Sequence, residues 1–279
     1  MGSGTGWKDF VPSWARHLVG KIRERIATEL IKREWYPMRE PLTSVSFHSN
    51  LGYDDQDDIN ATLPIINGYT AGSYQRIAVL WQQVRYLDRY KIPGALVECG
   101  VWRGGAAATM AIAHLRSSPH PTRRIHLFDS FQGLPEPSAI DGAAASALAG
   151  GRTSGAMRTI DQYVAAPEVS RKLIVEQAGY PAELLEYHVG WFEQTGPAAA
   201  KTIGPIALLR LDGDWYESTK ICLDNLYSLV APNGVVVIDD YGHFLGCHRA
   251  VDEFIEKLPY PIMLHHIDYT GRYWIKPAA

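Results

Sequence analysis

The sequence has few cysteines, no long apolar run and no excess of positive charge. Its three cysteines are odd in number and far apart, and Cys99 and Cys222 lie in apolar stretches, which indicates buried free thiols. No run of roughly 18 apolar residues is present, so we expect no membrane-spanning helix. The net charge of -3 argues against a nucleic-acid partner. The first residues lack the layout of a secretion signal, and together these features predict a soluble cytoplasmic protein.

Strand-like apolar runs alternate with helical patterns after residue 93. The predicted strands are GALVECG (94–100), RIHLFDS (124–130), ELLEYHV (183–189), PIALLRLD (205–212) and VVVIDD (235–240). Helical patterns cover 106–115, 159–178, 217–230 and 247–258. Because strands separated by helices pair in parallel through right-handed crossovers, they predict a doubly wound α/β sheet.

The last predicted elements are YPIMLHHIDY and RYWIK, on either side of a turn at Thr270-Gly271. They predict an antiparallel hairpin. A seven-stranded Rossmann-like sheet that ends in such a hairpin resembles the class I methyltransferase fold. We therefore predict that domain over residues 93–279, preceded by a helical and loop extension over 1–92 that covers the active site.

Within the extension, Ser13 to Glu34 has apolar residues every four positions, which predicts an amphipathic helix. A helix that docks or joins subunits is the favoured interpretation, and a helix on a membrane surface is the alternative. Residues 35–69 are rich in Pro, Asp, Asn and Ser and predict a loop, and residues 73–90 again predict a helix. Residues 138–158 are rich in Ala, Gly and Ser and suggest a mobile lid. We expect a homo-oligomer.

A glycine-containing loop follows the first strand of the sheet. It comprises Glu98, Cys99, Gly100, Val101, Trp102, Arg103, Gly104 and Gly105. Glycines there allow a ligand to approach the backbone, and the next helix offers free N–H groups. Because the spacing is not GxGxxG, the loop favours the methionine part of S-adenosylmethionine over a pyrophosphate. The alternative is a plain strand-to-helix turn.

Asp129 ends the second strand, where an acidic side chain can accept both ribose hydroxyls of an adenosine cofactor. After the third strand, the stretch with Gly190, Trp191 and Phe192 offers an aromatic ring to the adenine. Packing at the rim of the sheet is an equally good explanation of these rings.

Two apolar strands end in paired acids, Asp212 with Asp214 and Asp239 with Asp240. If the strands are neighbours, their ends lie about 5 Å apart and the carboxylates converge. Carboxylates that close repel one another unless a cation lies among them, and oxygen ligands favour Mg²⁺. The alternative is that each acid caps a helix.

A metal at this edge would lie beside the reactive end of the cofactor. It could lower the pKa of a substrate hydroxyl and hold its oxygen in line with the methyl group. Asp214 is the predicted catalytic base, with His243 and His248 as weaker candidates.

With these residues identified, the chain resembles the macrocin O-methyltransferase family of sugar O-methyltransferases. The matching stretches are LVECGVWRGGA (96–106), DSFQGLPEP (129–137), VGWFEQT (189–195), LLRLDGDWYESTK (208–220), GVVVIDDYGHFLGCHRAVDEF (234–254) and, more loosely, YWIKP (273–277). The resemblance implies the fold, S-adenosylmethionine, Mg²⁺ held by Asp212, Asp239 and Asp240, and Asp214 as base. It also implies cofactor contacts from Glu98, the loop through Gly105, Asp129 and Ser130, to which we add Gly190, Trp191, Phe192 and Asp212.

The leading hypothesis is a Mg²⁺-dependent O-methyltransferase acting on a sugar hydroxyl of a glycosylated natural product. The same metal site would permit a catechol or another vicinal diol. An NAD-dependent oxidoreductase would require a GxGxxG loop and leaves the second acid pair unexplained. A non-catalytic cofactor-binding module, with acids that only cap helices, predicts no metal requirement.

Overall fold

The computed structural model describes residues 55–278. In chain order the elements are α1 (Gln56–Ile66), α2 (Tyr74–Arg89), β1 (Ala95–Cys99), α3 (Gly105–Ser117), β2 (Ile125–Asp129), α4 (Gly142–Leu148), α5 (Pro167–Lys172), β3 (Leu185–Val189), α6 (Phe192–Ala199), β4 (Ile206–Leu211), α7 (Tyr216–Leu226), β5 (Val230–Ile238), α8 (Leu245–Ile255), β6 (His265–His266) and β7 (Arg272–Ile275). The helix predicted over 13–34 lies outside the described residues.

Seven strands form a single sheet in the order β3-β2-β1-β4-β5-β7-β6. The first five strands are parallel, and β7 runs antiparallel to both β5 and β6. The doubly wound sheet with a C-terminal antiparallel hairpin is therefore confirmed. The winding direction reverses between β1 and β4, which is where such sheets bind ligands beyond the carboxyl ends of the strands.

Helices cover both faces of the sheet, and successive residues of each strand point to opposite faces. On one face, Leu96 and Leu208 pack with α1, α2 and α3, around the fully buried Trp81. On the other face, Val97 and Leu209 pack with α6, α7 and α8. The strands are apolar on both sides because both sides are covered, which explains the continuous apolar runs in the sequence.

Two predicted segments differ from the structure. Residues 56–66 are helical, although the prediction for 35–69 was a loop, because Ile59, Thr62 and Ile66 are buried on one side of α1. The helix predicted over 159–178 starts only at Pro167 and ends in a π-type turn. Residues 159 and 160 instead pair with the loop after β2, through a Pro135–Thr159 bridge and the Ile160 amide bonded to the Leu134 carbonyl at 2.9 Å.

The stretch 138–158 contains α4 and is held in place by two buried acids. Asp141 accepts a hydrogen bond from the Tyr216 amide at 2.7 Å, and it is 2% exposed. Glu136 accepts from the guanidinium of Arg158 at 2.6 Å. The first bond joins the stretch to the start of α7, and the second joins it to the loop after β2. None of the helices in the described range is both long and apolar enough to cross a membrane.

Candidate active site

The carboxyl ends of β1, β4 and β5 bring the predicted acidic residues together. Glu98 on β1 lies opposite Arg210 on β4, and Leu211 on β4 lies opposite Ile238 on β5. Asp212 and Asp239 therefore follow neighbouring strands at the same edge. The predicted adjacency of the two acid-tipped strands is confirmed.

Arg210 lies at the centre of this acidic edge, where the sequence analysis assigned no positive charge. Its guanidinium contacts Glu98 at 2.7 Å, Asp212 at 2.8 Å and Asp239 at 2.6 Å. Alternation along the strands places these side chains on the same face of the sheet. The available signal was a single arginine inside the apolar run LLRLD.

A second guanidinium approaches the same edge from α2. Arg76 donates to the Oδ2 atom of Asp239, and its Nε lies 2.9 Å from Asp268. Asp239 therefore accepts from Arg210 through one carboxylate oxygen and from Arg76 through the other. In this arrangement Asp239 is neutralised by protein cations, and its assignment as a metal ligand stays a prediction.

Asp212 also forms a group with two further acids, Asp214 and Asp240. Ligand atoms of Asp212, Asp214 and Asp240 all lie within 4.8 Å of one another, and the side chains of Asp214 and Asp240 are buried. Burial, followed by repulsion from neighbouring carboxylates, raises the pKa of Asp214 and that of Asp240 well above the ordinary range. A bound divalent cation would oppose both effects, so the group fits a hard ion that prefers oxygen ligands.

Asp214 also has an uncommon backbone conformation. Its φ of 60° lies in the left-handed region, which non-glycine residues adopt rarely and which often accompanies a functional role. The conformation follows Gly213, whose Cβ position would lie 3.2 Å from the ring of Phe192. The β4–α7 connection is thus held in a strained turn that leaves the Asp214 carboxylate among Asp212 and Asp240.

Glu98 has a buried carboxylate oxygen that no residue in the described part of the chain contacts by a hydrogen bond. Oε1 accepts from Arg210, whereas Oε2 has no partner. Burial raises the pKa of Glu98 to about 8, although Arg210 opposes the shift. An unpaired buried acceptor is costly, and a ligand ammonium group such as that of methionine would satisfy it. Glu98 therefore suits the predicted role of a cofactor contact.

We expect Glu98→Gln to weaken S-adenosylmethionine binding by roughly 10- to 100-fold, which corresponds to one charge-assisted hydrogen bond. Isothermal titration calorimetry measures the affinity, and thermal unfolding checks that the variant folds. Glu256→Gln, at an exposed glutamate directly after α8, is the matched control and should bind as the wild type does. Equal affinity in Glu98→Gln and wild type would contradict this role.

The glycines after β1 are required by protein neighbours. Gly100 has a φ of 93°, and a Cβ there would lie 1.9 Å from the Asp212 carbonyl oxygen. A Cβ at Gly104 would lie 2.6 Å from Ser170, and one at Gly105 would lie 2.6 Å from the Tyr69 carbonyl oxygen. The loop is therefore tightly packed on one side. A ligand approach on its other side stays a prediction.

Asp129 organises the glycine loop. One carboxylate oxygen accepts from the amides of Val101 at 2.7 Å and Trp102 at 2.9 Å, and the other accepts from Phe131 at 2.7 Å. Burial raises its pKa, while the three amides oppose the shift. The predicted ribose contact stays a prediction, because these bonds already give Asp129 a structural role.

The remaining predicted cofactor residues lie beyond the carboxyl ends of β1, β2 and β3. The Ser130 hydroxyl accepts from the Gln132 amide at 3.1 Å, and the Gly190 amide bonds the Asp129 carbonyl at 2.9 Å. The Arg103 guanidinium lies 4.9 Å from the centre of the Trp102 ring. Trp191 precedes α6, and Phe192 packs beside Gly213, in agreement with rim packing for that ring.

Tyr163 is a further residue at the site, and the sequence analysis did not identify it. Its ring packs edge-on against Trp102, with centroids 5.5 Å apart. Burial, followed by the charges of Asp214, Asp212 and Asp240, raises its pKa. Tyr163 therefore contacts the glycine loop and lies within electrostatic reach of the three carboxylates. The two weaker candidates for the catalytic base also lie within the described residues. Burial lowers the pKa of His243, and His248 lies 3.1 Å from Asp252 on α8.

Comparison with known proteins identifies the family. The family model for the macrocin O-methyltransferases (TylF) matches residues 40–276. The chain belongs to the TylF macrocin O-methyltransferase family. The predicted family and the predicted enzyme class, an S-adenosylmethionine-dependent O-methyltransferase, are confirmed.

Individual relatives in this family cover most of the chain. An 8-demethyl-8-(2,3-dimethoxy-alpha-L-rhamnosyl)-tetracenomycin-C 4'-O-methyltransferase of Streptomyces olivaceus is 36% identical over 95% of each chain. A demethyldecarbamoylnovobiocin O-methyltransferase of Streptomyces niveus is 35% identical over 75% of this chain and 76% of its own. The solved structure of the O-methyltransferase NovP superimposes with a TM-score of 0.64 at 35% identity, over 75% of this chain and 83% of NovP.

Proposed function

We propose that the enzyme transfers a methyl group from S-adenosylmethionine to a sugar hydroxyl of a glycosylated natural product and requires Mg²⁺. The observation that carries the proposal is the group of Asp212, Asp214 and Asp240, placed where the winding of the sheet reverses. A relative that matches 95% of the chain is named for methylation of a rhamnosyl-substituted tetracenomycin, which supports a sugar as acceptor.

The chain's own residues would hold the acceptor and take its proton. A bound Mg²⁺ would supply an electrophile that lowers the pKa of the acceptor hydroxyl. Asp214 must be ionised to accept the proton, and burial, which raises its pKa, works against that state. The charge of a bound cation would also favour the ionised form of Asp214.

The ligand set that we propose is Asp212, Asp239 and Asp240, with Asp214 free as the base. This set requires the Oδ2 atom of Asp239 to leave Arg76. The alternative set, Asp212, Asp214 and Asp240, is already assembled. Mg²⁺ titrations distinguish the two, because Asp239→Asn weakens Mg²⁺ binding in the first case and Asp214→Asn weakens it in the second.

We expect EDTA to abolish methyl transfer and Mg²⁺ to restore it. Asp240 belongs to both ligand sets, so Asp240→Asn should raise the Mg²⁺ concentration for half-maximal activity roughly 100-fold or more. This increase exceeds the one caused by losing a residue that only supports a metal ligand by a hydrogen bond. Asp252→Asn, an exposed acid on α8, is the control and should respond to Mg²⁺ as the wild type does. Full activity in EDTA would refute the metal requirement.

A screen with labelled S-adenosylmethionine over glycosides, their aglycones and catechols tests the acceptor. Transfer to glycosides alone supports the proposal, and transfer to catechols alone contradicts it. A cytoplasmic location and a homo-oligomer also belong to the proposal, and size-exclusion chromatography with light scattering tests the second.

A further inference from the structure

A second group of side chains of the kinds that bind metal ions lies at the β3 edge of the sheet. His126 is on β2, and Glu186 and His188 are on the neighbouring strand β3. His126 lies opposite Glu186 and Phe128 lies opposite His188, so alternation places the three side chains on one face. Their ligand atoms all lie within 4.8 Å of one another. None of these residues takes part in the proposed methyl transfer.

The distances within the group approach those around a tetrahedral ion. His126 Nδ1 and His188 Nε2 are hydrogen-bonded to each other at 3.1 Å. Glu186 Oε2 lies 3.7 Å from His126 Nδ1, and the other carboxylate oxygen, Oε1, lies 3.8 Å from His188 Nε2. Zinc bonds of 2.0–2.1 Å at tetrahedral angles separate ligand atoms by about 3.3 Å. An ion would therefore replace the hydrogen bond between the two rings and draw one Glu186 oxygen towards both nitrogens.

The two imidazoles are in the chemical state that a metal needs. Burial lowers the pKa of His126 to about 4 and also lowers that of His188, so both rings are neutral at pH 7. Neutral imidazole is the ligand form, and nitrogen ligands favour Zn²⁺ and its neighbours over Mg²⁺. Stacking on Phe128, with centroids 4.1 Å apart, orients the ring of His188.

His126 is buried without full hydrogen bonding. The residue is 2% exposed, and its Nε2 has no partner among the described residues. The Glu186 side chain, at 44% exposed, leaves the group open to solvent on one side. Arg124 lies 3.9 Å from Glu186 and would compete with an ion for that carboxylate. The histidines must therefore supply most of the affinity.

We propose that His126, Glu186 and His188 form a binding site for one divalent transition-metal ion of the Zn²⁺ type, with water as the fourth ligand. The bound ion bridges β2 and the edge strand β3. It stabilises the sheet at the edge where β3 leads into Gly190 and Trp191. This site is separate from the Mg²⁺ site and does not depend on the methyl-transfer proposal.

Titration of chelator-treated full-length protein with ZnCl₂, followed by calorimetry and by thermal unfolding, tests the site. We expect one Zn²⁺ equivalent to raise the melting temperature of the wild type. His188→Ala and Glu186→Gln should abolish that rise, and His188→Ala should weaken this binding event roughly 100-fold or more, because a protein ligand is lost. With Co²⁺ as the probe, the wild type should show a tetrahedral visible spectrum that His188→Ala lacks.

Two controls make the result specific. His248→Ala removes an exposed histidine that also neighbours an acid, at 3.1 Å, and should leave the Zn²⁺ titration unchanged. Asp240→Asn should likewise retain it, since that residue belongs to the other site. The proposal is overturned if Asp240→Asn loses the Zn²⁺ event while His188→Ala keeps it, or if neither His188→Ala nor Glu186→Gln differs from wild type. Circular dichroism confirms that each variant is folded.

Discussion

Asp214→Asn is expected to lower kcat by roughly 100- to 10,000-fold, the range that a positioned general base contributes. Asparagine is nearly isosteric and keeps the left-handed conformation accessible, because Asn, like Asp, tolerates a positive φ. The fold should therefore persist, and the KM for S-adenosylmethionine should change little. Steady-state kinetics over a pH series provides the measurement, and the rate should lose its fall on the acidic side, where Asp214 becomes protonated.

The Mg²⁺ affinity of Asp214→Asn separates a base from a metal ligand. If the variant loses its rate but binds Mg²⁺ as tightly as the wild type does, Asp214 acts as the base. If the variant binds Mg²⁺ more weakly and excess Mg²⁺ restores its rate, Asp214 is a metal ligand. Asp224→Asn, an exposed acid on α7 bonded to Lys220, is the matched control. Wild-type turnover by Asp214→Asn together with an unchanged Mg²⁺ affinity would remove the residue from the mechanism.

The sequence was sufficient for the parts of the site that are local. Asp212, Asp214, Asp239 and Asp240 directly follow apolar strands, and parallel strands bring such ends to one edge of a sheet. That reasoning needs only the strand pattern and the assumption that the two strands are neighbours. The order of the sheet then confirms the assumption.

The contacts that the sequence could not provide are those between distant segments. Arg76 precedes Asp239 by more than 160 residues, and no local pattern links α2 to β5. The glycine pattern predicts a ligand approach at Gly100, but it does not reveal that the carbonyl of Asp212 fills the space on one side of this residue. In both cases the deciding partner comes from a strand or helix whose position only the folded sheet determines.

Unlike the contacts of Arg76 and Gly100, the role of Arg210 is indicated by its neighbours in the sequence. An arginine between Leu209 and Leu211 must be buried in a strand covered on both faces, and a buried guanidinium requires carboxylate partners. Two residues later, Asp212 lies on the same face. These two facts place Arg210 in the acidic site, where it supplies part of the positive charge that the acids require.

Arg210→Met is expected to lower the free energy of unfolding by about 3–5 kcal/mol, the cost of breaking a buried ion pair by removing one partner. Methionine fills similar space but leaves Glu98, Asp212 and Asp239 without this cation. Urea unfolding in EDTA measures the change. Without the cation, the pKa values of Glu98 and Asp239 rise further, so the loss is largest above those values and shrinks as pH falls and these two acids take up protons.

Two further variants test whether charge, and not packing, causes the loss. Arg210→Lys keeps the positive charge without the guanidinium fork and should recover part of the stability. Arg124→Met removes an arginine that is 56% exposed and lies 3.9 Å from Glu186, and should change stability by less than about 1 kcal/mol. If Arg210→Met matches Arg124→Met, the acids at the edge do not depend on this guanidinium. A large loss that persists at low pH would instead indicate a packing defect, since protonated acids no longer need the cation.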